Sequence, residues 1–214
     1  MPMKLDKREY RKIFAPMETR KADDGQMVVE GYATTFNQPY ELLRDKEITV
    51  NEQVDPNAFA ETDMSDVIMQ YDHEGPVFAR ISNGTLTLEP DEHGLKVTAN
   101  LGGTERGRQL FEEIDGGYTN KMSFGFTVSG EKRERVKAED GHVTILRTIT
   151  KIGKLYDVSA VSLPANDATE ISSRTIGDGL ISEALKEIQT EEERQRKIGE
   201  IRKLLNTEEK THDD

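Results

Sequence analysis

Cysteine is absent from all 214 residues of the chain. Its absence excludes disulfide bonds, metal sites built on thiolates and a cysteine nucleophile, and it is compatible with a reducing cytoplasm. Histidine is scarce as well, and the sequence contains only four such residues, which are His73, His93, His142 and His212. Any chemistry that needs an imidazole must therefore use one of these four side chains.

Apolar residues are also few, at 34% of the chain, while charged residues make up 33%. This composition predicts a modest core with strongly solvated segments. No apolar run approaches the roughly 20 residues of a membrane-spanning helix. The charged residues at the amino terminus are not followed by the apolar region of a signal peptide. We therefore expect a soluble protein that acts inside the cell and has no membrane partner.

Positive charge is in deficit, because 29 lysine and arginine residues stand against 41 aspartate and glutamate residues, for a net charge of −12. Binding to phosphate backbones needs clustered lysine and arginine, so the balance argues against nucleic acid as a partner. The glycine-rich stretch 102–107 lacks the lysine of a phosphate-binding loop. Asp72-His73-Glu74 has no second histidine at ligand spacing. We therefore expect neither a cofactor nor a metal ion.

Turn-forming residues divide most of the chain into short apolar segments, which predicts a mainly β domain. The dipeptides Asn83-Gly84, His93-Gly94 and Asp140-Gly141 are typical of hairpin turns. So many short-range turns favour a small antiparallel β-barrel. Besides the strand that contains Ser123, strands are predicted at 27–36, 48–54, 67–73, 77–81, 85–89, 95–101, 143–152 and 155–163.

Two helices are predicted to flank this sheet. Asp55-Pro56 is a signal for the start of a short helix. Thr104 predicts the start of a longer helix that ends at Gly116-Gly117. The charged segment 131–139 is predicted to be an exposed loop, and Gly153-Lys154 a turn between two strands.

The pattern changes near the carboxyl end. From Gly179 onward, apolar residues repeat at helical spacing, and Thr190 with Glu193 forms a capping box. These signals predict a charged helical tail. We place the β domain at residues 1–175 and the tail at residues 176–214.

A serine, a histidine and an aspartate lie in separate strand-like segments. Ser123 is placed between Met122 and Phe124, His73 ends an apolar segment, and Asp157 alternates with apolar neighbours. A serine hydroxyl becomes a good nucleophile when an adjacent base accepts its proton, and a carboxylate orients an imidazole base. The three residues are therefore candidates for a nucleophile, a base and an orienting acid.

Each of these residues also fits a purely structural role. Ser123 has the pattern of a polar position on an alternating strand, and Asp157 has that of a solvent-facing one. The stretch around Ser123 lacks the first glycine of a nucleophile elbow. His93 and His142 flank turn glycines, where solvent exposure is expected. Taken one at a time, the residues leave both interpretations open.

Several segments in chain order resemble the tailed-bacteriophage prohead proteases, which are capsid-maturation serine peptidases related to herpesvirus assemblin. The resemblance covers roughly residues 30 to 166. The matching segments are Glu30–Ala33 with Phe36-Asn37, Asp55–Phe59, Asp72-His73, Gly84–Leu86 with Gly94–Val97, Met122–Phe126 and Leu155–Asn166.

This resemblance implies a small, mainly antiparallel β-barrel with flanking helices. It implies that Ser123 is the nucleophile and His73 the base. The acid is less closely matched, because the family commonly has glutamate where this chain has Asp157, and the herpesvirus relatives use a second histidine. The chain departs from the family pattern at this position.

The resemblance also implies a substrate and a place of action. The substrates would be the scaffolding region of the major capsid protein, other head proteins and the protease itself. Cleavage would occur inside the immature head in the host cytoplasm, or in the bacterial cytoplasm for a prophage-encoded chain, and a homodimer or higher oligomer is implied. The alternatives are a non-catalytic capsid assembly or scaffolding protein with the same barrel, and a β-barrel binding module.

Overall fold

The computed structural model describes residues 8–13, 17–21, 26–44 and 46–162, together with 190, 193–194 and 196–198. By its internal contacts the chain divides into two units, Met1–Ser173 and Arg174–Asp214. The described residues of the second unit are helical. Most of the predicted tail lies outside the described residues, so the helical tail and the boundary at 175 stay predictions.

Strands dominate the described residues between 8 and 162, which also contain one α-helix, α1 (Glu105–Asp115), and a 3-10 turn at Ile81–Asn83. The prediction of a mainly β protein is confirmed. The strands are β1 (Glu9–Ile13), β2 (Glu18–Lys21), β3 (Met27–Thr35), β4 (Tyr40–Arg44), β5 (Ile48–Val54), β6 (Ile68–Tyr71), β7 (Glu74–Arg80), β8 (Leu86–Pro90), β9 (Gly94–Asn100), β10 (Lys121–Lys137) and β11 (Val143–Val161).

Two sheets are formed by these strands. The larger sheet has the order β1-β10-β11-β5-β4, with β6 beside β11 and β7 beside β6. The smaller sheet has the order β2-β3-β9-β8. Within the described residues neither sheet closes into a ring, so the predicted barrel is not confirmed. Turn dipeptides indicate which neighbouring strands form hairpins. They carry no information on whether a sheet closes into a barrel, because closure depends on contacts between strands that are distant in the chain.

Two pairings in the larger sheet depart from the antiparallel arrangement that the turn signals favoured. β11 pairs with β5 and with β6 in the parallel direction. Parallel neighbours need a long connection, whereas a short turn joins antiparallel ones. The smaller sheet's β8 and β9, as well as α1, lie between β6 and β11 in the chain. Turn dipeptides therefore had no bearing on these two pairs.

β10 and β11 are much longer than predicted, at 17 and 19 residues. The predicted loop at 131–139 is largely part of β10, and the predicted turn at Gly153-Lys154 lies inside β11. Between Gly125 and Glu131 the pairing register of β10 with β11 shifts at several points, but neither strand ends there. Such bulges let a long hairpin bend while it stays paired. The Asp140-Gly141 turn is present as predicted.

The longer predicted helix is confirmed as α1. The Thr104 side chain accepts a hydrogen bond from the Gly107 amide at 3.0 Å, which caps the helix. The segment after Asp55-Pro56 forms consecutive turns instead of the predicted short helix. There the Asp55 carboxylate accepts a hydrogen bond from the Asn57 amide at 2.8 Å. This side-chain bond gives the backbone an alternative to a helical turn.

The hydrophobic core draws side chains from both sheets and from α1. Representative members are Val29 and Val97 from the smaller sheet, Phe124 and Ile149 from the larger one, and Phe111 from α1. The Phe124 ring stacks on its near neighbour Phe126 with centroids 4.4 Å apart. This packing holds the first part of β10 firmly, and Ser123 lies in that part.

Candidate active site

His73 lies in a two-residue hairpin turn between β6 and β7. Asp72 and His73 have φ values of 47° and 64°. Positive φ at both central residues is the requirement of a type I′ turn, which suits the twist of a hairpin. Glu74, Gly75 and Pro76 follow the turn directly and belong to β7, although glycine and proline are common strand breakers. Proline is tolerated there because β7 lies at the edge of the sheet.

Asp72 fastens this turn to the end of β11. Its amide donates to the Ala160 carbonyl at 2.9 Å. Its carboxylate accepts hydrogen bonds from the Ser162 amide at 3.2 Å and from the Ser162 hydroxyl at 2.9 Å. These contacts hold the backbone of His73 at a defined position beside β11.

Ser123 lies on the face of β10 opposite the core. Met122, Phe124 and Phe126 are fully buried in the core cluster. Because successive residues of a strand face opposite sides, the Ser123 side chain projects from the other face, and Gly125 lies on that same face of the strand without a side chain. Ser123 is nevertheless 0% exposed. The strand thus presents a buried hydroxyl on the side where the His73 turn lies.

A bulge in β11 places Asp157 on the same side. Gly125 pairs with Asp157, but the next residue of β10, Phe126, pairs with Leu155. Tyr156 is therefore the extra residue, and both Leu155 and Val158 can enter the core. Bulges often re-aim a side chain next to an active site.

The three predicted residues meet at one point. His73 Nε2 is 2.5 Å from Ser123 Oγ, and His73 Nδ1 is 2.5 Å from Asp157 Oδ1. One ring nitrogen thus faces a hydroxyl and the other a carboxylate. An imidazole held in this way can accept the serine proton at Nε2 while its Nδ1–H donates to the carboxylate.

A comparison with known families bears on this arrangement. The family model of the caudovirus prohead serine proteases matches residues 15–180. The chain belongs to this family. The resemblance noted in the sequence is thereby confirmed, and at the level of the family the chain is a serine protease of phage capsid maturation.

The chain is similar to a solved structure, that of the capsid assembly protease of bacteriophage T4. The two chains are 10% identical, with a TM-score of 0.42, and the match covers 72% of this chain and 96% of the other. No curated protein matches the chain.

Three further residues, Ser159, Tyr10 and Gly125, lie in contact with the candidate site. The Ser159 hydroxyl donates to Asp157 Oδ1 at 2.9 Å, so the carboxylate oxygen that faces His73 has a second partner. The Tyr10 ring packs on the His73 ring with centroids 4.4 Å apart. Gly125 leaves room for both, because a Cβ there would overlap Asp157 Oδ2 and approach the Tyr10 ring to 2.8 Å.

Only one of these residues left a usable signal in the sequence. Ser159 follows Asp157 by two positions, and residues so spaced on a strand share a face. Gly125 permits a close approach, because it has no Cβ that would meet Asp157 and Tyr10. Nothing local to Tyr10 in the sequence points to His73.

The remaining chemistry-bearing residues lie elsewhere. His93 is exposed and packs edge-on against Tyr32, while His142 contacts the Thr49 hydroxyl at 2.9 Å. In the part of the chain that the structure describes, no three His, Asp or Glu side chains are grouped so as to hold a metal ion. None of the described helices is long and apolar enough to cross a membrane.

Proposed function

We propose that the chain is a serine endopeptidase in which Ser123 is the nucleophile, His73 the general base and Asp157 the orienting acid. The observation that carries this proposal is the contact of 2.5 Å between His73 Nε2 and Ser123 Oγ, with Asp157 Oδ1 at 2.5 Å on the other side of the ring. Membership of a serine protease family supports it.

The reaction follows from this arrangement. His73 Nε2 takes the proton of Ser123 as Oγ attacks the scissile carbonyl, and a tetrahedral intermediate forms. The imidazolium then protonates the leaving amine, the C–N bond breaks and an acyl-enzyme remains. Water, deprotonated by His73, releases the acid product and restores the hydroxyl. Asp157 stabilises the imidazolium and fixes its tautomer throughout.

The shorter acid at position 157 is compensated by its surroundings. Aspartate reaches one methylene less than the glutamate that the resemblance leads one to expect. Gly125 lies directly across the ladder from Asp157 and has no side chain, so the carboxylate can lie close to β10. The bulge at Tyr156 and the hydroxyl of Ser159 complete its support.

We further propose that the substrates are proteins of the immature phage head, including the scaffolding region of the major capsid protein and the protease itself. Family membership motivates this assignment. The reaction would take place inside the prohead in the host cytoplasm, or in the bacterial cytoplasm for a prophage-encoded chain, with self-association as a further contact.

Labelling by a fluorophosphonate tests the nucleophile. The purified full chain should form a covalent adduct that peptide mass spectrometry maps to Ser123, and Ser123→Ala should remove the adduct. Ser129→Ala, which changes an exposed serine further along β10, is the matched control and should label like the unchanged chain. An adduct on other residues only, or none at all, would favour the non-catalytic assembly protein.

Co-expression with the major capsid protein of the same phage tests the substrate. Shortened capsid protein should accumulate with the unchanged chain and not with Ser123→Ala. Labelling of Ser123 without any capsid cleavage would leave a serine hydrolase and refute the assignment of this substrate.

A further inference from the structure

Strand β1 lies alongside the nucleophile. It pairs with β10 in antiparallel register, with Tyr10 opposite Gly125 and Lys12 opposite Ser123. β1 is an edge strand of the larger sheet. It also precedes residues 15–180, the range that the family model matches. The strand that lies beside Ser123 is therefore outside the matched region.

Tyr10 is the residue of β1 that reaches the catalytic histidine. Its ring and the His73 imidazole have centroids 4.4 Å apart and planes inclined by 58°. The space over Gly125 is filled by the same ring, since a Cβ at Gly125 would lie 2.8 Å from Tyr10 Cε1. The imidazole is thus bounded by Tyr10 on a face that neither Ser123 nor Asp157 occupies.

A ring in this position restricts the motion of His73. Hydrogen bonds at Nδ1 and Nε2 direct the edges of the imidazole, but they resist tilting of its plane only weakly. Contact with a rigid neighbouring side chain supplies that restraint.

The other face of β1 is fixed by a buried ion cluster, which we define as Glu9, Arg11, Glu52 and Arg147. Arg11 Nε donates to Glu52 Oε1 at 2.5 Å, and Arg147 donates to Glu52 Oε2 at 2.6 Å and to Glu9 Oε2 at 2.8 Å. Side chains of Arg11, Glu52 and Arg147 are only 4%, 0% and 4% exposed. The hydroxyl of Tyr40 also donates to Glu52.

Glu52 remains ionised in the ion cluster although it is buried. Burial acts to raise the pKa of Glu52, but Arg11 and Arg147 outweigh it, and the pKa lies below its ordinary value. Buried ion pairs are valuable chiefly for fixing one register, because a shifted strand would leave a charge unpaired. A shift of β1 by one residue would separate Arg11 from Glu52 and would turn Tyr10 away from His73.

We propose that Tyr10 is a positioning residue for the protease reaction, which holds the His73 imidazole in reach of Ser123, and that the ion cluster sets the register of β1 that puts Tyr10 there. The inference rests on the proposed function, because it gives Tyr10 a part in the same reaction. Tyr10 acts through His73 and does not itself touch the reacting atoms.

Inactivation kinetics with a fluorophosphonate test the proposal on the full chain. The limiting rate constant kinact reports the reactivity of Ser123, and the half-saturation constant KI reports binding of the probe. Tyr10→Ala should lower kinact about 10- to 100-fold, since small misplacements of a catalytic group cost that much. KI should change less than twofold. Tyr10→Phe keeps the ring and should retain kinact within twofold.

Two additional variants separate positioning from simple support of the fold. Tyr10→Leu keeps apolar bulk on β1, so it tests the ring even where Tyr10→Ala unfolds, and its kinact should also fall. Tyr118→Ala changes a tyrosine that is 83% exposed and should leave both constants unchanged. The low-field proton resonance of His73 Nδ1–H should be sharp in the unchanged chain and Tyr10→Phe, and broadened in Tyr10→Leu.

The outcomes distinguish this inference from the proposed function. If the unchanged chain is not labelled at Ser123, the proposed function itself is wrong. If the unchanged chain is labelled and a folded Tyr10→Ala or Tyr10→Leu variant keeps kinact within twofold, Tyr10 is only a structural residue. If Tyr10→Phe loses as much as Tyr10→Leu, the ring contact is not what matters, and the proposal also fails.

Discussion

At the scale of single residues, Gly125 shows how closely the candidate site is packed. It pairs with Asp157 across the ladder, and the Tyr10 ring covers it. Glycine is required at this position because it has no side chain. Its backbone conformation is not the reason, since φ of Gly125 is not positive. The same small residue thereby leaves room for the carboxylate of Asp157 and for the Tyr10 ring that packs on His73.

Gly125→Ala should damage both stability and activity. The added methyl group overlaps Asp157 Oδ2 and the Tyr10 ring, and such overpacking lowers the free energy of unfolding by about 1–3 kcal/mol. Displacement of Asp157 should lower kinact for the fluorophosphonate by roughly tenfold or more. Thermal unfolding and inactivation kinetics measure the two effects.

Gly103→Ala is the matched control, because a methyl group there meets no atom within 4 Å. It should change neither quantity. A Gly125→Ala variant that behaves like Gly103→Ala would show that Asp157 has room to move without loss of function.

At the scale of elements, the β6–β7 hairpin places His73, the proposed base. Its turn needs positive φ at Asp72 and His73, and the Asp72 carboxylate joins the turn to Ser162. Aspartate, asparagine and histidine enter this region of φ more readily than other residues with a Cβ. The turn therefore combines a tolerated backbone conformation with an anchor to β11.

Substitutions at Asp72 should separate these two contributions. Asp72→Ala loses the anchor and adds the cost of a left-handed conformation, so the free energy of unfolding should fall by about 1–2 kcal/mol. Asp72→Gly loses the anchor without that cost and should be less destabilising. Asp72→Asn keeps an acceptor for the Ser162 amide and should stay close to the unchanged chain in urea unfolding and in kinact. A different order of the three variants would contradict this account of the turn.

At the scale of the whole molecule, the ion cluster connects strands that are far apart in the chain. Glu52 on β5 contacts Arg11 on β1, Tyr40 on β4 and Arg147 on β11. In the described residues no buried side-chain polar atom lacks a hydrogen-bond partner. The ion cluster and Tyr40 therefore join four strands of the larger sheet, and these contacts form only when those strands have come together.

Glu52→Gln should make the free energy of unfolding less dependent on pH in the acidic range. The folded pKa of Glu52 lies below its ordinary value of 4.5, so its stabilisation is complete above 4.5 and is lost as pH falls toward the folded pKa. At neutral pH the variant leaves Arg11 and Arg147 undercompensated and should lose about 3–5 kcal/mol. The gap between variant and unchanged chain should narrow below pH 4.5.

Thermal unfolding from pH 3 to 7 measures this gap. Glu89→Gln removes an exposed carboxylate and should follow the unchanged chain at every pH. A gap that stayed constant over this range would mean that the pKa of Glu52 is the same in the folded and the unfolded protein, and it would contradict the lowered pKa.

Local patterns in the sequence were sufficient for several elements. The cap at Thr104, the bounds of β5 and the hairpin at Asp140-Gly141 follow from signals within a few residues. Ser123 and His73 could be singled out because few residues in this chain can perform their chemistry and because their segments resemble a family. The sequence by itself therefore determined the fold class, the family and the candidate residues.

Tertiary structure alone decided how these parts meet. The parallel pairing of β11 with β5 and β6, the bulge at Tyr156 and the contact of Tyr10 with His73 join residues distant in the chain. Local propensity carries no information on such contacts, because their energy comes from packing and charge pairing that exist only after the chain has folded. For this reason Ser123, His73 and Asp157 could be singled out as candidates, whereas the contact of Tyr10 with the His73 ring could not be predicted.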